Sequence, residues 1–513
     1  MASAVLRFLP ALLILLVGFV PRAAAALRPN VLLILADDLG VGDLSCLNTN
    51  SAWKTPNLDR LAREGRVFTD AHSASSVCTP SRYALLTGRH AWRGRLKSGV
   101  LDGYDPALLE PRRPNLARFL QSHGYATAMV GKWHLGLDWV KKGEGREDVD
   151  FGRPFGGGPL AHGFEMFHGI AASLDMPPYA YLEGDRVPVP PDRRIEAGKA
   201  PAMWRAGVVA PDFVHAEVQA RFFDRAAAFL EGRARATDGR PFFLHLALAS
   251  PHTPIVPTAG FAGRTGTTPY GDFVTELDAS VGRLLDLLDR TGQAADTLVF
   301  FTADNGCSPA ADLAALGRHH HDPSAGFRGH KADLFEGGHR VPLIVRWPGQ
   351  IPPGTRCPAT VGQVDILPTV AEALHRGISK QAGLDGVSFL AQLRGEDSAP
   401  SGREGLVHHS INGSFAVREG RWKLLLAPDS GGWSAPRPGE AGAAALPRFQ
   451  LYDLGTDPAE RTNLVGNHPE IVRRLGLSLR RIIERGRSTA GPERTNDLSR
   501  PWPQIGWMSE FAP

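Results

Sequence analysis

The sequence predicts an α/β protein: a large mixed, mainly parallel sheet flanked by helices, with a smaller C-terminal α+β domain. Three observations carry that expectation. Short apolar runs recur along the chain, each ending in polar or charged residues. Helix patterns with readable ends lie between them. From about residue 396 the pattern changes to a hairpin, a Gly- and Pro-rich loop and one basic amphipathic helix.

The first 26 residues have the form of a signal peptide, with Arg7 as the positive n-region, Phe8 to Val20 as the apolar stretch and Ala23 to Ala26 before a cleavage site. The apolar run is shorter than the ~20 residues a membrane span needs. The expectation is an exported chain starting near Leu27, without a membrane span after cleavage. Its compartment would be periplasmic or extracellular, or lysosomal in a eukaryotic host.

The strands come next. Val31 to Leu35 runs into Asp37 and Asp38, and Ala126 to Val130 into Lys132 and His134; Phe242 to Leu248 runs into Ser250 and His252, and Leu298 to Thr302 into Asp304 and Asn305. Such runs suit strands buried on both faces. Between them, Thr55-Pro56-Asn57 opens a helix that Gly65 closes, and Pro114 to Gly124 repeats the design. Asp212 to Gly232 and Gly271 to Gly292 are longer amphipathic segments. Alternating strands and helices argue for a doubly wound sheet, where ligands bind beyond the carboxyl ends of the strands. The polar clusters should therefore converge.

Residues 27–395 are read as the main domain and 396–513 as the smaller one. In the latter, Ser414 to Leu426 is a hairpin turning at Glu419-Gly420, Pro428 to Pro447 a loop, Phe449 to Asp453 a strand, Pro469 to Arg485 a helix, and the rest an irregular tail.

A net charge of +4, part of it from Arg7 and Arg22 in the leader, gives no case for nucleic-acid binding. The four cysteines, Cys46, Cys78, Cys307 and Cys357, form no Cys-x-x-Cys pair, which removes a zinc-ribbon reading. With Cys78 set aside, at most one bridge is expected.

Asp37, Asp38, Asp304 and Asn305 are hard oxygen donors at two strand ends. Either pair alone reads as a turn or helix cap. Together they suit Ca²⁺ or Mg²⁺ rather than zinc. Lys132 and Lys331 beside such a cation would bind an anionic group, and His134 and His252 could move protons. The run His319-His-His321 reads as a surface loop. Cys78 stands at the start of a helix with Pro80, where backbone N–H groups favour anions and lower a thiol's pKa. A thiolate is nevertheless a soft ligand among hard ones, and local chemistry gives no further account of it.

Cys78-Thr-Pro-Ser-Arg82 with Leu86-Thr-Gly-Arg89, and Gly131-Lys-Trp-His-Leu-Gly136, resemble the two signatures of the type I sulfatases, a branch of the alkaline phosphatase superfamily. The resemblance extends through Pro29 to Asp38, Thr55 to Asp59, Ser250-Pro-His252, Ala303 to Gly306, Glu336 to Arg340 and Leu451 to Pro458, so it spans nearly the whole mature chain. It implies that Cys78 is oxidised to Cα-formylglycine by a formylglycine-generating enzyme. The hydrated aldehyde would attack sulfur with one hydroxyl, which also coordinates the metal, and would eliminate sulfate through the other. It further implies Ca²⁺ held by Asp37, Asp38, Asp304, Asn305 and residue 78. Arg82 would hold the hydrate, Lys132 and Lys331 would neutralise the sulfate, His134 would take a proton and His252 would give one to the leaving alcohol. Lys331 rests on an approximate match at Gly329-His-Lys331.

A phosphomonoesterase or phosphodiesterase of the same superfamily is the rival reading, but Cys-x-Pro-x-Arg with Lys132 and His134 argues against it. A non-catalytic carbohydrate-binding member would lack at least one essential group, and none is missing. The expected substrates are sulfated sugars of glycosaminoglycans or other polysaccharides, attacked from a chain end, and aryl sulfates. Aromatic residues of the insertion Phe151 to Trp204, and Trp502 and Trp507, are candidate sugar contacts. Asn412-Gly-Ser414 is a glycosylation sequon.

Overall fold

A computed structural model describes residues 28–200, 202–397, 402–442 and 445–512. The expected leader lies outside them. The large sheet has nine strands: β1 (Asn30–Ala36), β2 (Arg66–Phe68), β3 (Ala126–Lys132), β4 (Met166–Ile170), β5 (Leu182–Glu183), β6 (Phe242–Ala247), β7 (Thr297–Ala303), β8 (Leu343–Arg346) and β9 (Thr355–Cys357). Their order is β9-β2-β8-β7-β1-β6-β3-β4-β5. The four apolar runs are the adjacent strands β7, β1, β6 and β3, all parallel. Antiparallel pairing occurs where β8 meets β7 and β2, and where β5 meets β4.

The register explains why the polar clusters meet. Ala36 lies opposite Ala303, Leu35 opposite Ala247, and Ala247 opposite Gly131. Four parallel strands thus end almost level, and the residues after them share one crown. Gly131 makes this possible: at φ 119 it brings its backbone so close to β6 that a Cβ would lie 1.9 Å from the Ala247 carbonyl oxygen.

The flanking helices are α1 (Pro56–Glu64), α2 (Cys78–Thr87), α3 (Leu116–Ser122), α4 (Val218–Arg235) and α5 (Pro269–Arg290). In α1 the Thr55 hydroxyl makes no cap bond and contacts Ser45 and Asp59 instead. The open N–H groups of Asn57 and Leu58 are met by Asp278 from α5, at 3.1 and 2.8 Å. Helix α4 starts later than Asp212 and runs through Gly232, around which a Cβ would meet nothing, so a helical glycine there costs only its propensity.

The C-terminal region holds a separate antiparallel sheet, β10 (Leu406–His409), β11 (Phe415–Glu419), β12 (Trp422–Leu425) and β13 (Gln450–Asp453), in that order. Glu419 pairs with Trp422, so the hairpin turns at Gly420-Arg421, one residue later than expected; Gly420 supplies the positive φ of 57°. Helix Pro469–Glu484 buries Leu475, Leu479, Ile482 and Ile483 against this sheet. The tail is not irregular: Pro503–Glu510 forms a 3₁₀ segment that seats Trp507 and the adjoining Phe511 in the same core.

A buried ionic joint links the two sheets. The ammonium of Lys423, on β12, lies 2.9 Å from Glu336, 2.8 Å from Glu460 and 2.9 Å from Nε2 of His339. His321 is a correction to the surface reading: it is buried, stacked on Trp53 and 2.9 Å from Asp43. All four cysteines are free thiols. Among the described residues no helix is long and apolar enough to cross a membrane.

Candidate active site

Asp37 and Asp38 follow β1, and Asp304 and Asn305 follow β7; all four are buried. Asp38 adopts φ 62° and turns its N–H to the Asp304 carboxylate at 3.2 Å, which locks the two turns together. Asn305 donates to Asp38 at 2.7 Å. The turn after Asn305 fits only because Gly306 has no side chain; a Cβ there would lie 1.9 Å from the Gly337 carbonyl oxygen.

Three cations answer the three carboxylates. Lys132, the last residue of β3, reaches Asp37 at 2.6 Å, Lys331 reaches Asp38 at 2.8 Å, and Arg82 reaches Asp304 at 2.8 Å. Arg82 also donates to the Lys132 carbonyl, so one side chain braces helix α2 against two strand ends. Its side chain is buried, as this role requires. Burial opposes ionisation of Asp37, but Lys132, His252, Arg82 and Lys331 overcome it and hold its carboxyl well below the usual range. Asp304 is pushed up to about 7 by burial and by Asp37 beside it.

Cys78 is the first residue of α2 and is buried; Arg82, four residues on, shares its face. Its sulfur and one carboxylate oxygen each from Asp37 and Asp304 lie within 4.8 Å of one another. Burial pushes the thiol up, against Lys132 and Lys331, so the helix terminus does not make a reactive thiolate here, contrary to the sequence expectation.

His134 has φ 54° and its Nε2 lies 2.7 Å from the Leu101 carbonyl, while Nδ1 has no partner. A carbonyl only accepts, so Nε2 carries the proton and Nδ1 offers a lone pair. Burial, then Lys132 and Arg82, hold the ring neutral by lowering its pKa well below the ordinary value. His252 directs Nδ1 at the Thr253 carbonyl and places Nε2 3.6 Å from Asp38.

The structure thus brings together all ten residues singled out in the sequence: Asp37, Asp38, Cys78, Arg82, Lys132, His134, His252, Asp304, Asn305 and Lys331. The oxygen donors suit a hard cation, and two of their atoms, Asp37 Oδ1 and Asn305 Oδ1, are buried without a hydrogen-bond partner. Sequence reasoning missed Asp175, carried in by the loop after β4 to 4.0 Å from Nδ1 of His252. No motif marks it; only its place after a strand could have drawn notice. The aromatic candidates are packing residues: Trp204 stacks on His215, Trp502 lies against Trp92 and Lys97, and Trp507 against Phe511. Asn412 of the sequon bonds Ser410 and Ser414 and shapes a turn.

A second group, His72, His339 and His408, clusters its nitrogens at the joint between the sheets. The rings of His339 and His408 stack 3.7 Å apart at 11°, so their in-plane lone pairs cannot both point at one ion. His72 and His339 instead share a 3.0 Å hydrogen bond between Arg418 and Lys423.

This crown of carboxylates, lysines and histidines at level strand ends is the site of a hydrolase acting on anionic esters. Residues 29–376 match the Sulfatase family model, so the chain belongs to the sulfatase family, as its motifs imply, and is a sulfuric ester hydrolase. The chain is 31% identical to an N-acetylgalactosamine-6-O-sulfatase of Bacteroides thetaiotaomicron, covering 89% of this chain and 94% of the relative. It is 35% identical to human arylsulfatase A, covering 90% and 89% respectively. A solved structure from work on glycosaminoglycan metabolism by Bacteroides thetaiotaomicron superposes with a TM-score of 0.76 at 29% identity, covering 89% of this chain and 99% of that one. The alkaline-phosphatase-like sheet architecture is common to such sulfatases.

Proposed function

We propose that the chain hydrolyses sulfate esters of saccharides, as an exported enzyme, with residue 78 matured to formylglycine and Ca²⁺ held by Asp37, Asp38, Asp304 and Asn305. The observation that carries this reading is the charge and donor set of the crown. Three carboxylates face three buried cations, and two acceptor oxygens are left without donors. A divalent cation adds two positive charges, which the single charge of a sulfate monoester and one ionised hydroxyl would balance. When bound, Ca²⁺ would supply positive charge to the sulfate and to the attacking oxygen.

The cysteine sulfur marks where the hydrate's hydroxyls would stand. One hydroxyl, giving up its proton, would bond to the sulfate sulfur as the ester S–O bond breaks and the alcohol leaves with a proton. The second hydroxyl would then lose its proton, the bond from the carbon to the sulfate oxygen would break as the carbonyl re-forms, and inorganic sulfate would depart. Lys132 and Lys331 stand where two sulfate oxygens gain charge. His134, neutral and with Nδ1 open, is ready to accept the second hydroxyl's proton. Arg82 holds the helix bearing residue 78 against the Asp37 and Asp304 turns. His252 faces the alcohol side. The sugar preference draws on the 31% identity to the N-acetylgalactosamine-6-O-sulfatase; aryl sulfates are included because human arylsulfatase A is 35% identical.

The test is peptide mass spectrometry across residue 78 in protein made with a formylglycine-generating enzyme, alongside turnover of Cys78→Ser. The expected results are a peptide carrying the aldehyde and a serine variant that folds but gives no catalytic release of sulfate. Unmodified cysteine in an active preparation, or sustained turnover by the serine variant, refutes the mechanism.

A further inference from the structure

We propose that Asp175 reads a hydroxyl of the sugar that carries the sulfate, and so selects saccharide leaving groups over others. The inference rests on the sulfatase reading of the same site. The loop that carries Asp175 begins beside the catalytic strand: Trp133 and His134 donate their N–H groups to Ile170 and Ala171, at the end of β4. It then carries Asp175 to the side of His252. The Asp175 carbonyl accepts from the Tyr179 hydroxyl at 2.8 Å and from the Arg205 N–H at 3.0 Å, which fixes the backbone at that point.

The side chain thus held is buried, with 11% of its surface exposed, and under-bonded. Oδ1 has no hydrogen-bond partner. Oδ2 has the Arg205 guanidinium at 3.6 Å, within ion-pair range but beyond a good hydrogen bond. A buried acceptor without donors costs stability, so a carboxylate kept in this state has a use for incoming donors. Its position says which. His252 lies between the catalytic carboxylates and Asp175, with Nε2 3.6 Å from Asp38 and Nδ1 4.0 Å from Asp175. Asp175 is therefore one imidazole width from the Asp38 carboxylate, on the side of His252 that the proposed mechanism gives to the departing alcohol.

An ionised carboxylate only accepts, so the partner there must donate O–H or N–H. A pyranose offers hydroxyls on carbons near the ester; a simple aryl sulfate offers none. The Arg205 side chain, paired with Asp175 at 3.6 Å, stays largely exposed.

The experiment compares kcat/KM of wild type, Asp175→Ala and Asp175→Asn on 4-nitrophenyl sulfate and on the 6-sulfates of N-acetylgalactosamine and N-acetylglucosamine. Sites built around a substrate hydroxyl lose heavily when the pair is broken. The alanine variant should lose about 100-fold on the preferred sugar sulfate, and the ratio of sugar to aryl activity should fall at least about thirtyfold. Calorimetry with the desulfated sugar should show weaker binding in both variants. Asp175→Asn keeps the shape and covers the case in which alanine does not fold. Equal losses on aryl and sugar substrates, or an undiminished sugar rate, overturn the inference. Wild-type activity on aryl sulfate with none on either sugar also overturns it and leaves the sulfatase reading standing. No cleavage of any sulfate ester brings down that reading and this one together.

Discussion

Lys132→Met tests the charge logic of the crown most directly. Methionine keeps the volume of a fully buried stem and deletes the ammonium that lies 2.6 Å from Asp37. Three carboxylates would then face two cations, with Arg82 at 3.5 Å as the nearest remaining partner of Asp37. Breaking a buried pair costs about 3–5 kcal/mol of stability. A bound divalent cation would offset part of this, so the loss should be larger after chelation. Under the proposed mechanism catalysis loses a donor aimed at developing charge, worth about 10²–10³ in kcat, or roughly 3–4 kcal/mol of barrier. Steady-state kinetics on an aryl sulfate, with thermal unfolding in EGTA and in Ca²⁺, separates the two effects. The expected pattern is kcat and kcat/KM falling together, which marks an interaction made in the transition state. A raised KM at unchanged kcat would assign Lys132 to ground-state binding only. Full activity with a lowered unfolding midpoint would make it a structural residue and refute its catalytic role.

Other consequences are equally open to measurement. Lys423→Met should cost about 3–5 kcal/mol in urea unfolding, because Glu336 and Glu460 lose the one ammonium they share; Lys423→Met with Glu336→Gln should recover part of that. Gly306→Ala should reduce sulfate release far more than it lowers expression, since the Asp304-Asn305 turn must move to clear Gly337. His90 is lowered to about 4 by burial, with Arg93 and its neighbours adding to the effect. Its neutral form is favoured in the fold, so its stability contribution is complete above about pH 6.5 and is lost as pH falls toward 4. Unfolding free energies across that window should drop less in His90→Gln, by about 3 kcal/mol. An unchanged slope would show that His90 is not the group taking up the proton.

The parts of this molecule that were legible are those written locally. β1, β3, β6 and β7 announced themselves because a strand covered on both faces has no polar alternation to hide in. The residues after them were legible for the same reason: a charge directly following such a run has nowhere to go but the strand end. Short outer strands such as Arg66–Phe68 and Leu182–Glu183 carry too few residues for a period. Asp175 depends on a loop path set by Tyr179 and Arg205, and Lys423 on three partners from distant segments. His321 misled because a run of histidines reads as polar, whereas Trp53 and Asp43 supply a face and an acceptor that no nearby residue predicts.

The burial of Cys78 has a consequence in time. With 2% of its surface exposed and its helix anchored through Arg82, residue 78 cannot enter another enzyme's active site once the crown has formed. Under the proposed maturation, oxidation must therefore win a race against folding of the very sheet that will later use its product. A chain that folds first is trapped as a folded but inert thiol form. Yield of active protein should then follow the delay between emergence of residue 78 and completion of β7, more than two hundred residues downstream. Slowing synthesis through that interval should raise activity per molecule without altering the amount of folded protein.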